Sequence, residues 1–186
     1  MTRRNILFGL LATVATIALP VFAAPLSGLK VGESVTPFHP KHLAGPLAGT
    51  SNCFPCTFQN RPQVQVWVNG DDKANVVALA KTLSEEMKEH EKQEFKALVV
   101  VLTDPSKMSA AEAMVKQAAK MPALKGVGMA VLSKNDEAVK AYSINTAADV
   151  KNTVLVYKNW KVANTFVNLK STDSAKLVAA IDGISK

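Results

Sequence analysis

Cysteine, histidine and aromatic residues are scarce in this chain: two Cys, three His and 6% Phe, Trp and Tyr among 186 residues. With so few aromatic rings, and none interleaved with a basic cluster, the chain lacks a stacking platform for nucleic-acid bases. The formal net charge of +7 comes from lysines that alternate with Glu and Asp, which confers solubility rather than a nucleic-acid surface. No internal repeat, low-complexity segment, nucleophile motif, phosphate-binding loop or carboxylate pair stands out. A membrane span needs about 18 apolar residues, and the stretch from Ile6 to Leu19 is shorter and stops at Pro20.

That stretch has another use. Arg3 and Arg4 precede it and the small-residue pattern Val21-Phe22-Ala23 follows it. This is the layout of a secretory signal peptide cleaved after Ala23. No cysteine lies near the cleavage site, so a lipid-anchored N-terminus is not expected. The expected organisation is a signal peptide over 1–23, an extended lead-in over 24–62 and one folded domain over 63–186, exported to the periplasm or the extracellular space without a transmembrane anchor.

The lead-in is rich in Pro and Gly and carries no sustained period, which predicts loop. From Gln63 the pattern sharpens. "QVQVWVN" alternates through Val64, Val66 and Val68 and predicts a strand. Asp71 and Asp72 are placed to cap a helix whose Val76, Leu79, Ala80, Leu83 and Met87 share one face. "KALVVVLTDP" is a continuous apolar run, as in a strand covered on both faces, and Trp67 on the neighbouring strand is expected in the core. Ser109 and Glu112 have capping-box spacing for a second helix. "GVGMAVLS" predicts a strand and "NDEAVKAY" a short helix capped by Asn135. "TVLVYKNWKVANTFVNL" predicts a hairpin turning at Asn159-Trp160, and Leu177, Val178, Ile181 and Ile184 stripe a last helix. Crossover helices followed by a hairpin imply a mixed α/β sheet with helices on both faces.

Two stretches, "AVLSKNDEAVKAYSI" and "VKNTVLVYKNWKVANTF", resemble the second half of the thioredoxin-like fold in its peroxiredoxin and exported-redoxin branch. "VGESVTPFHPKHLAG" resembles the lead-in of the same branch, and "GPLAGTSNCFPC" with "RPQVQVWV" is similar to a family of exported bacterial thioredoxin-like proteins. The resemblance implies a three-layer thioredoxin-like domain. It also implies a reactive cysteine after the central strand, where a helix N-terminus lowers the thiol pKa. Here that place reads Val68-Asn69-Gly70-Asp71-Asp72, without a thiol, and the cis-proline position of thioredoxins falls near Asn152.

Chemistry therefore moves to Cys53 and Cys56, which flank Phe54-Pro55. The redox reading makes Cys53 the exposed attacking thiol and Cys56 the resolving one, acting on protein thiols or disulfides with no cofactor, and with Arg61 or Lys41 available to assist. A structural disulfide is the second reading, and a four-residue loop makes it a weak staple. The third is a zinc site in which His39 and His42, spaced like the cysteines, complete four N/S ligands. His90, on the long helix, is read as a border residue of its charged face.

Export predicts that protein recovered from its host lies outside the cytoplasm and begins at or near Ala24. N-terminal sequencing of cell-envelope material checks this, and an intact Met1 there would overturn it.

Overall fold

The computed structural model describes residues 25–186; the signal peptide expected over 1–23 lies outside the described residues. Strand β2 (Gln63–Val68) forms where β-branched residues alternate, and all six of its residues are buried. It lies between β3 (Lys96–Thr103), to which it is parallel, and β5 (Asn152–Lys158), to which it is antiparallel. The sheet extends through β4 (Gly128–Ser133), parallel to β3, to β1 (Lys41–Ala44) at one edge, and through β6 (Lys161–Val167) at the other. The order is β1-β4-β3-β2-β5-β6.

A parallel neighbour requires a crossover, and two helices supply these: α2 (Lys73–Glu89) links β2 to β3 and α3 (Met108–Ala118) links β3 to β4. Asp72 caps α2 through Oδ1, which accepts from the N–H groups of Ala74 and Asn75. Leu79, Ala80 and Leu83 of α2 pack with Val64, Val66 and Val99 on one sheet face, joined by Leu177 and Ile181 of α5 (Ser174–Ile184). The opposite face carries Trp67, Leu98, Val100 and Tyr157, covered by α1 (Phe54–Phe58), α4 (Glu137–Ala141) and the lead-in residues Leu29, Val35, Phe38 and Leu47. The expected mixed sheet with helices on both faces is what forms, with Trp67 in the core.

Three local expectations change. The lead-in is not loop throughout, since it supplies β1 and α1. Its apolar residues carry no period because they pack singly onto the sheet. The Ser109/Glu112 capping box does not form. Asp104-Pro105 starts a 3₁₀ turn that runs into α3, so Ser109 already lies inside the helix, and Glu112 pairs instead with Lys41 at 2.7 Å. Asp136, not Asn135, caps α4, accepting from the Ala138 N–H at 2.9 Å. The β5–β6 hairpin does turn at Asn159 and Trp160, with φ of 53° and 65°. That is the pair of positive values that matches the strand twist in a two-residue hairpin.

Gly45 has φ +80°, and a Cβ there would stand 2.6 Å from Gly128 Cα. This close approach seats the end of β1 against the start of β4. Gly45→Ala should therefore cost on the order of 2 kcal/mol or more. Gly32→Ala, with φ +87° and open space around it, pays only the conformational term. Thermal melts of the two variants check the difference.

Candidate redox site

Pro55 sets φ in the first turn of α1, and Cys53 caps the helix: its Sγ accepts from the Cys56 N–H at 3.1 Å. The helix stops at Phe58, where Gln59 takes φ +47° ahead of Asn60-Arg61-Pro62. Within this single turn Cys53 and Cys56 are bonded to each other, with Cα atoms 5.2 Å apart.

The exposure of the two sulfur residues is the reverse of the expected order. Cys53 is buried, at 6% exposure, and Cys56 is the partly exposed one. Two things set this: the capping position turns the Cys53 sulfur back onto the helix, and the surface on which α1 packs leaves Cys56 only partly covered. The cations expected to assist are both engaged, Arg61 with Glu94 at 2.8 Å and Lys41 with Glu112.

The two histidines do not join the sulfurs in a ligand cluster. Among the described residues, the cluster of His, Cys, Asp and Glu ligand atoms is Glu86, His90 and Asp182. His39 Nδ1 donates to the carbonyl of Ser51 at 3.0 Å and His42 Nε2 to that of Asn52 at 2.9 Å. The His-x-x-His spacing thus clamps two successive carbonyls of the loop that delivers Cys53. His42 is 1% exposed, its ring stacks on Phe54 with centroids 6.4 Å apart, and its Nδ1 is buried without a hydrogen-bond partner. Burial lowers its pKa, since a second ring proton would have no acceptor.

Position in the sheet separates this site from the place where thioredoxin-like chemistry was expected. The parallel strands begin at Gln63, Lys96 and Gly128, and α1 lies against those ends. Phe54 packs beside Gly128, Lys96 Nζ lies 5.8 Å over the Phe58 ring, and Gln63 Nε2 donates to the Gln59 carbonyl. The turn at Gly70 to Asp72 follows the opposite, carboxyl end of β2, roughly 20 Å away for six residues at about 3.3 Å each.

At that far end an amide and carboxylate network stands where a thiol would. Asp71 Oδ2 accepts from Asn152 Nδ2 at 2.6 Å and from Asn75 Nδ2 at 2.8 Å. Asn152 also exchanges two hydrogen bonds with the backbone of Leu169, and Asn69 Nδ2 donates to the carbonyls of Ala147 and Val150. An apolar cavity of about 90 Å³ lined by Val68, Asp71, Val76, Val101, Met114 and Val115 lies at this end and includes neither cysteine. Sequence reading missed the network. The visible signal was three Asn or Asp residues at strand ends, but their mutual contact joins positions far apart in the chain.

No protein-family model matches the chain, and no curated protein matches it. Solved structures do. A Chlorobium tepidum protein described as thiol:disulfide interchange protein DsbE is 14% identical, with a TM-score of 0.64 over 85% of this chain and 99% of its own. Peroxidoxin BcpB from Mycobacterium tuberculosis is 19% identical, with a TM-score of 0.55 over 84% of this chain and 98% of its own. The yeast mitochondrial 1-Cys peroxiredoxin is 15% identical, with a TM-score of 0.56 over 83% of this chain and 75% of its own. The fold is therefore thioredoxin-like.

The buried histidine makes the loop pH-sensitive. Because the folded-state pKa of His42 lies below its ordinary 6.5, the unfolded chain takes up the proton first. The His42 contribution to stability is full above 6.5 and falls as the pH drops beneath it. His42→Gln, which keeps an amide donor for the Asn52 carbonyl, should flatten this part of the melting temperature against pH. An unchanged slope in the variant would contradict the assignment.

Proposed function

We propose that the protein is an exported thioredoxin-fold exchange protein that acts on protein thiols or disulfides through Cys53 and Cys56. The observation that carries this reading is the bonded sulfur pair on the turn of α1, with one sulfur residue partly exposed and the other buried and holding a hydrogen bond. A partner thiolate attacks Cys56 Sγ, on the less buried residue of the pair. The partner–Cys56 bond forms as the Cys53–Cys56 bond breaks, and the electron pair leaves on Cys53 as a thiolate facing the Cys56 N–H. A second partner thiol, having lost its proton to solvent, then attacks the partner sulfur of the mixed disulfide and releases Cys56. The partner departs oxidised by two electrons and the chain is left as the dithiol. Run backwards, the same steps reduce a partner disulfide. The name of the Chlorobium tepidum structure, an interchange protein, agrees with this chemistry.

A second reading has its own support. The buried Cys53 and the filled Asp71–Asn152 turn suit a non-catalytic binding domain with a structural disulfide. The reduction potential decides between them. Exchange predicts a value between roughly −270 and −120 mV, and a structural bond one below about −300 mV. Single variants report the direction of attack: Cys53→Ser, which leaves the accessible Cys56, should form a mixed disulfide with oxidised glutathione faster than Cys56→Ser. Mass spectrometry of the adducts reads this, and a slower or absent adduct on Cys53→Ser would overturn the proposed order.

A further inference from the structure

His90 ends α2, and its ring is not a lone border group. Its Nε2 lies 2.9 Å from Asp182 Oδ1 on α5 and 3.5 Å from Glu86 Oε2 one turn back on α2. The three ligand atoms all fall within 4.8 Å of one another. The buried Phe95 ring and the imidazole lie nearly perpendicular, with centroids 6.4 Å apart. We infer that Glu86, His90 and Asp182 form a binding site for one divalent transition-metal ion of the zinc type.

Three features carry this. The first is spacing. Ligand atoms each held about 2.1 Å from a metal stand about 3.0–3.4 Å from one another in octahedral or tetrahedral arrangements. The two distances from Nε2 are already close to that, and the third pair of ligand atoms lies within 4.8 Å. The second is charge. The side chains of Glu86 and His90 are 13% exposed and that of Asp182 is 53% exposed. Among the described residues neither carboxylate forms an ion pair with Lys or Arg, and both turn to the same imidazole nitrogen. The negative end of the α2 dipole lies at the same place. A cation answers all of these at once.

The third is ligand type. One imidazole nitrogen with two carboxylate oxygens selects zinc, cobalt or manganese over calcium and magnesium, which prefer all-oxygen shells. Three protein ligands leave coordination positions to water, as in open rather than closed zinc sites, and the exposed Asp182 side gives the ion its way in. The pattern was half visible in the sequence, since Glu86 and His90 stand one helical turn apart. Asp182 arrives only through the packing of α5 on α2. The site is remote from Cys53 and Cys56 in the chain and independent of the exchange reading.

The competing arrangement is a protonated imidazole bridging two carboxylates with no ion. Titration calorimetry of the metal-free chain with zinc chloride, and cobalt(II) absorption spectra, distinguish the two. One zinc should bind per chain, and cobalt should give ligand-field bands. Asp182→Asn and Glu86→Gln, checked for folding by circular dichroism, should each weaken zinc by about a hundredfold, at the upper end of what even outer-shell changes cause. The Cys53→Ser/Cys56→Ser double variant should bind as the parent does. No saturable zinc or cobalt binding, binding in both carboxylate variants as tight as in the parent, or loss of binding with the cysteines would each overturn the site.

Discussion

The constraint on which the rest depends is the complete burial of β2 between a parallel and an antiparallel neighbour. Backbone groups on both of its edges are satisfied by β3 and β5, so its side chains are free to make two cores. Valines point to one face. On the other, Trp67 Nε1 donates to Gln65 Oε1, Gln65 Nε2 donates to the Tyr157 hydroxyl, and that hydroxyl donates to Gln63 Oε1. A chain of partnered polar groups is tolerable in a core only when each member is satisfied. Here it ties the strand's register to β5, and burial holds the Tyr157 hydroxyl far above its ordinary pKa.

The direction of β2 then sets where chemistry can be placed. Open α/β sheets present ligands beyond the carboxyl ends of their parallel strands. In this protein that end carries Asn69, Asp71, Asn75 and Asn152: the last three pair with one another, while Asn69 Nδ2 donates to the Ala147 and Val150 carbonyls and its Oδ1 is buried without a partner. The sulfur pair sits at the amino end, on a helix of one turn and a half. A site of that kind takes little from the sheet. Its geometry comes from the lead-in, where the two histidines hold the carbonyls of Ser51 and Asn52 and the Phe54 ring anchors the turn beside Gly128.

Two histidine arrangements in the same chain illustrate how context decides what a residue does. His39 and His42 have ligand-like spacing, yet each spends a ring nitrogen on a loop carbonyl. His90 has no such spacing with another histidine, yet it is the one brought among carboxylates. The difference lies in which groups the packing of neighbouring elements supplies, a loop backbone in one case and a second helix in the other.

Periodicity carried much of the information about elements. The valine alternation of β2, the apolar run of β3, the one-sided stripe of α2 and the Asn159-Trp160 turn are local patterns with local physical causes, and they were legible in the sequence. So was the absence of a thiol after β2, which needs only the position of a strand end. The sequence also determined that Cys53 and Cys56 lie within one turn of each other. Burial is a different kind of property. Whether Cys53 or Cys56 faces solvent depends on the cap geometry of α1 and on the surface it lies against. Whether Asp71 meets Asn152, or Asp182 meets His90, depends on contacts between residues 81 and 92 positions apart. Such contacts leave no trace in a local pattern, because they are formed by the closing of the sheet and the docking of α5 on α2, and only the tertiary structure decided them.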